Sequence, residues 1–302
     1  MRHLTSARYI DVVARTGSIR KAAETLSITS TALNRRILAI EEELGVPIFE
    51  RMPRGVRLNS AGEILIHHIR HQLSDMERVR SQIADLSGVR RGHVSIACSQ
   101  AFLPYFLPGE IARYRLEHPQ VTFGVHLRDR EAAERALADY TADIAIVFEP
   151  VRMSEVHVLA AVRQQIHAVM APGHPLAEKS SVRLADCLGY PLALPTSSYG
   201  VRHLLDAAAR RHSLKMAPVV ESDSFEFLRY HAVAENILTF QIPVGLSEPT
   251  QTGRMVSRPV DDRDIPAGTI HMAQLRGRTL PVAAARFAAQ LAGTLATSYE
   301  PV

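Results

Sequence analysis

The chain has 302 residues, 46% of them hydrophobic, a formal net charge of +4, two cysteines and no tryptophan. That length exceeds the usual single domain, and the apolar content suffices for more than one core. No apolar run reaches the ~18 residues of a membrane span, and the distant pair Cys98 and Cys187 excludes a disulfide scaffold.

The charge is unevenly placed. Residues 1–91 carry fifteen Lys+Arg against ten Asp+Glu, or +5, whereas residues 92–302 carry twenty against twenty-one, or −1. A basic head on a near-neutral body fits a polyanionic partner for the head alone. The sequence runs into its first motif without an apolar leader, which gives the expectation of a cytoplasmic protein with no membrane partner.

Ser18–Ile37, SIRKAAETLSITSTALNRRI, describes two short helices joined by a turn. Ile19, Ala22, Ala23 and Leu26 form one buried stripe behind an N-cap at Ser18, and Ser27-Ile28-Thr29 is the turn. The second helix carries Ser30, Thr31, Asn34, Arg35 and Arg36 early, with Ala32, Leu33, Ile37, Leu38 and Ile40 as its inner face. Hydroxyl, amide and guanidinium groups starting a helix packed behind another are what a major-groove reader requires. The helix stops at Gly45. Two short strands follow, Pro47–Phe49 and Val56–Leu58, around a turn whose Arg51 and Arg54 suit a phosphate backbone. Asn59 or Ser60 then caps a long helix, Ser60 and Glu63 having capping-box spacing.

The stretch Gly17–Gly62 resembles the LysR-type transcriptional regulators. The resemblance rests on the Ala22-Ala23 pair, the IEEELG run, the spacing of Phe49, Arg51 and Arg54, and the closing L-x-x-A-G. The chain departs where the family usually has Gln (here Ser30), Ser (Asn34) and Thr (Asn59). The resemblance implies a winged helix-turn-helix contacting double-stranded DNA through Ser18, Thr29, Ser30, Thr31, Asn34, Arg35, Arg36, Arg51 and Arg54.

Ser60 to about Ser87 is free of proline. In heptads, Gly62, Ile69, Met76 and Ile83 fall at a, and Leu65, Gln72, Val79 and Leu86 at d. Such a seam predicts pairing with a second copy, and a two-fold protein predicts a dyad-symmetric operator. Gly88–Gly92 reads as a hinge. His67 and His71 have i,i+4 metal spacing but no evident carboxylate or thiolate partner, so the reading is no metal and no cofactor. Both cysteines sit among apolar residues and read as inert thiols.

Beyond the hinge, strands and helices alternate. Strands are expected at 94–98, 121–127, 143–147, 191–194, 219–221 and 237–242, with helices near 101–118, 131–140, 199–212 and 225–235. This pattern predicts α/β lobes with mainly parallel sheets. Ligands in such folds bind beyond the carboxyl ends of strands. That places Ser99, Gln100, Arg128, Phe148, Thr196, Ser197, Ser198, Ser222, Asp223, Ser224 and Gln241 around one crevice. Arg128 and Arg202 would supply charge for an organic anion.

AVMAPGHPLA (168–177), ALPTSSYGVR (193–202) and GRTLPVAAARF (277–287) also resemble LysR segments. The resemblance implies an α/β fold with a winged helix-turn-helix (1–59), a linker and dimerisation helix (60–91) and a two-lobed periplasmic-binding-protein-type effector domain (92–302). Lobe 1 takes about 92–162 and 268–302, and lobe 2 about 163–267. The expected partners are operator DNA, a small-molecule effector, further copies forming a homodimer and homotetramer, and RNA polymerase. Two other classes fit the lobes alone: a solute-binding receptor, which needs export, and an enzyme. No G-x-S-x-G elbow, P-loop, G-x-G-x-x-G or HExxH supports the latter.

Overall fold

The computed structural model describes residues 2–86, 91–151, 154–246 and 255–300. It divides into two compact units, Met1–Ile83 and Ala84–Val302. Most of the expected hinge (Gly88–Arg90) lies outside the described residues.

The first unit begins with a helix that no sequence motif marked, α1 (Arg2–Thr16), followed by α2 (Ile19–Thr25) and α3 (Ser30–Leu44). Ala7, Ile10 and Val13 give α1 its apolar stripe, and Val13 meets Ala22, Ala23, Leu33 and Ile37 in a shared core. Ser18 caps α2, its Oγ accepting the Lys21 N–H at 3.4 Å, and Thr29 caps α3 by accepting the Ala32 N–H at 3.2 Å. Leu38, expected on the inner face, is 46% exposed. It stands about 100° round the helix from Ile37 and misses the stripe.

Strands β1 (Phe49–Met52) and β2 (Gly55–Leu58) form the wing, paired antiparallel. The Glu41 carboxylate accepts the N–H groups of Ile48 and Phe49, at 2.8 and 3.2 Å, and so fixes the strand's entry. Helix α4 (Ser60–Leu86) is capped by Asn59, whose Oδ1 accepts the Gly62 N–H at 2.9 Å. The Ser60–Glu63 box is displaced because Ser60 already lies inside the helix. A Cβ at Gly62 would stand 2.2 Å from the Ile48 carbonyl oxygen, which is why the motif closes on glycine.

The heptad reading of α4 needs correction. Ile69 and its neighbour Ile66 are buried in the head's own core, with Leu65 and Leu73 packed alongside. Asp11 on α1 accepts from Arg70 on α4 at 2.9 Å. The helix therefore belongs to the first compact unit as far as Ile83, and its exposed apolar surface lies further along, where Ile83 is 58% exposed.

The second unit opens with β3 (Gly92–Cys98), α5 (Phe106–Glu117), β4 (Val121–Leu127), α6 (Arg130–Ala138), β5 (Ile144–Phe148) and β6 (Val156–Gln164). The chain then builds a second layer from β7 (His167–Met170), α7 (Leu184–Cys187), β8 (Ala193–Pro195), α8 (Gly200–Arg211), β9 (Val220–Ser222), α9 (Phe225–Ala234), β10 (Thr239–Gln241) and β11 (Val256–Pro259). It returns through β12 (Gly268–Leu275) and ends in α10 (Val282–Ser298).

The first sheet has the order β4-β3-β5-β12-β6. Its β3 is parallel to β4 and β5, but β12 is antiparallel to both β5 and β6. In the second lobe β10-β7-β11 is antiparallel and β8-β9 parallel. The expectation of mainly parallel sheets thus fails. In the first lobe the cause is the pair β6 and β12, which carries the chain out of that lobe and back, with β12 antiparallel to both of its neighbours. Pro104 delays α5 to Phe106 and leaves a 3-10 turn at Gln100–Phe102. Phe102, Ile146, Phe240 and Phe287 belong to one continuous core.

Candidate nucleic-acid interface and effector crevice

The first turns of α3 present Ser30, Thr31 and Arg35 to solvent, as the sequence suggested, and the wing turn presents Arg54. The wing and the helix are tied together. Arg51 Nη2 donates to Asn34 Oδ1 at 3.3 Å, so the wing arginine and the recognition-helix amide share one surface. Arg36 is engaged elsewhere: its guanidinium lies 5.5 Å above the Tyr9 ring, a cation–π contact with α1. Sequence reasoning could not foresee it, having read no helix over residues 2–16. Arg57 pairs with Glu50 at 2.8 Å, whereas Arg35 and Arg54 form no ion pair among the described residues. Thr29 and Ser18 are occupied as helix caps, each retaining a hydroxyl proton for an outside acceptor.

In the second unit, β3 delivers Ser99, which is 5% exposed and whose N–H donates to the Ile146 carbonyl at 3.2 Å. The next residue joins the lobes. Gln100 Nε2 donates to the Tyr199 hydroxyl at 3.1 Å, and its Oε1 accepts the Phe225 N–H at 2.8 Å. Tyr199 and Phe225 are buried, with ring centroids 4.9 Å apart. On the second-lobe side Thr196 and Ser198 hydroxyls lie 3.2 Å apart, Ser197 is exposed, and Ser222 Oγ accepts the Ser224 N–H at 3.0 Å. Gln241, 1% exposed, donates to the Phe225 carbonyl at 2.9 Å.

Three expected crevice residues are placed otherwise. Arg128 turns back on its own loop, donating to the Leu127 carbonyl at 2.7 Å. The arginine that spans the lobes is Arg130, two residues on, which donates to the carbonyls of Glu149 at 2.8 Å and Ser198 at 3.3 Å. Arg202 is held by Asp206 at 2.9 Å and Glu221 at 2.6 Å, so its charge is already neutralised. Phe148 is 3% exposed, part of the core rather than a crevice wall. Its backbone approaches α8 so closely that a Cβ at Gly200 would stand 2.3 Å from the Phe148 oxygen. Tyr199, Phe225 and Arg130 are neighbours of the lobe contact that strand-end reasoning missed. The one available signal was Arg130, two residues beyond Arg128 at the start of α6.

Beside this contact opens a cavity of about 800 Å3, bordered by Gln100, Ser224 and Gln241 among the residues expected from sequence. Both thiols are remote from chemistry: burial pushes Cys98 and Cys187 up to about 12. No group of three or more metal-ligating side chains occurs among the described residues. Nor is any described helix long and apolar enough to cross a membrane.

Family comparisons agree across both units. The profile of the bacterial regulatory helix-turn-helix protein, lysR family, matches residues 4–63, and that of the LysR substrate binding domain matches 87–296. The chain is 24% identical over 217 residues to the transcriptional activator CmpR of Synechocystis sp., covering 72% of this chain and 71% of CmpR. It is 30% identical over 207 residues to the uncharacterized regulator YbhD of Escherichia coli (strain K12), covering 68% and 65%. Among solved structures, a full-length OxyR variant of Pseudomonas aeruginosa superposes with a TM-score of 0.72 at 20% identity, covering 97% of this chain and 94% of that one. Full-length CbnR in complex with its target DNA gives 0.57 at 15% identity, covering 97% and 99%. At these identities the structural likeness concerns the fold. With both of its units matched, the chain belongs to the LysR family of transcriptional regulators and, rather than an enzyme, is a DNA-binding regulator carrying an effector-binding domain.

Proposed function

We propose that the head reads a dyad-symmetric operator with α3 in the major groove, and that a small molecule bound in the two-lobed unit sets its output in the cytoplasm. The observation that carries the DNA half is the Arg51–Asn34 bond, which makes wing and recognition helix one polar face flanked by the unpaired Arg35 and Arg54. In this reading Ser30, Thr31 and Asn34 meet base edges, and Arg35, Arg51 and Arg54 meet phosphates. Arg36, held over Tyr9, acts by fixing α3 against α1.

The apolar stretch of α4 beyond the head's core, with Met76, Val79 and the exposed Ile83, supports pairing of two chains, and dimers would pair in turn into tetramers. The crevice bordered by Ser99, Thr196, Ser197 and Ser198 is the proposed effector site. Gln100 and Arg130 make the bonds an occupant would have to rearrange. The experiment is fluorescence anisotropy on a mixed-sequence duplex across a salt series. Arg35→Ala and Arg54→Ala should each lower the slope of log K against log salt by about 0.9. Unchanged slopes in both would remove these arginines from the interface.

A further inference from the structure

The cavity of about 800 Å3 beside the lobe contact lies within the size range of small-molecule sites. Its charge comes from α9. Arg229 lines it, is only 5% exposed, and donates from Nη1 to the Gly245 carbonyl at 2.6 Å. No carboxylate among the described residues pairs with it. A guanidinium this deep carries a large desolvation cost unless an anion or several acceptors meet it. Its Nε and Nη2 donors have no acceptor among the described residues, and Arg229 is one of the residues that line the cavity.

We propose that this cavity is a binding site for a small organic monocarboxylate, separate from the crevice at Thr196–Ser198. The carboxylate meets the free donors of Arg229, and an apolar body packs against Leu103, Phe225 and Val233. Glu226, one turn before Arg229, is an exposed acid on the same wall. It repels a second negative charge, so the site favours monoanions over dianions. The occupant would bear on the lobe contact, because the cavity wall at Phe225 donates its N–H to Gln100. The inference rests on the two-lobed unit being an effector domain, but not on the crevice being its effector site.

The test uses the full chain, titrated calorimetrically with benzoate and hexanoate, with their neutral amides, and with the dianion terephthalate. A monocarboxylate should bind, its amide should not, and terephthalate should bind at least tenfold more weakly. Arg229→Met should weaken monocarboxylate binding roughly tenfold or more, the loss expected for a charge-assisted pair. Circular dichroism checks that this variant folds. The exposed substitution Glu226→Gln, which leaves the core untouched, should bring terephthalate affinity up toward that of benzoate. Equal binding of acid and amide, indifference to both substitutions, or no binding by either acid would overturn the site. Binding lost in Ser198→Ala but kept in Arg229→Met would also overturn it, while leaving the crevice reading intact.

Discussion

Replacing Gln100 by alanine should uncouple the two lobes. The amide makes two bonds across them, 3.1 Å to the Tyr199 hydroxyl and 2.8 Å from the Phe225 N–H. Each such bond contributes about 1 kcal/mol net, and a stranded N–H adds to the loss, so truncation should cost about 2–3 kcal/mol. Phe225 is 5% exposed, and only water entering from the neighbouring cavity can relieve its N–H. For a unit of this size the melting temperature should fall by roughly 5–10 °C. Gln100→Glu is the control, because a carboxylate can accept from both Phe225 N–H and Tyr199 O–H, and it should lose less. Scanning calorimetry on the full chain measures the shift, and amide hydrogen exchange at Phe225 localises it. A shift under about 1 °C, with Phe225 protection unchanged, would refute the claim that this amide holds the lobes together.

Ionisation, thiol reactivity and the α4 surface give further outcomes. Asp264 accepts from Arg183 at 2.8 and 2.6 Å and from the Leu184 N–H at 2.7 Å, and these bonds hold its carboxyl below the usual range. Its contribution is therefore present above the unfolded pKa of about 4 and lost as pH falls through the folded value. Asp264→Asn should lower the urea midpoint near neutral pH, with the difference closing in acid; a constant difference would refute it. Burial likewise lowers His167 and His271, so wild-type stability should already decline below about pH 6.5, and a flat profile down to about pH 5 would contradict that burial. Native Cys98 and Cys187, pushed up to about 12, should resist iodoacetamide until urea unfolds the chain. Ile83→Arg on the exposed stretch of α4 should raise the dimer dissociation constant at least tenfold in sedimentation, and an unchanged constant would exclude that surface.

Whatever depends on near neighbours was legible along the chain. The cap at Ser18, the stop at Gly45 and the wing turn at Arg51–Arg54 follow from side chains a few residues apart. The family resemblance rested on the same local grammar, and Gly62 gives one physical reason within it: the Ile48 carbonyl leaves no room there for a Cβ. What joins residues far apart in sequence came from packing alone. Periodicity marked α4 as apolar without saying that Ile66 and Ile69 face the head while Ile83 stays exposed. Strand-end rules gathered the crevice residues but could not tell Arg128 from Arg130, since the direction of an arginine after a strand depends on which carbonyls the other lobe offers. Arg202 carried a charge in the sequence and none to spare in the fold, where Asp206 and Glu221 claim it. Arg229 drew no notice on an ordinary helix. A buried guanidinium with donors to spare emerges only once the chain is folded, because desolvation belongs to the surroundings and not to the residue.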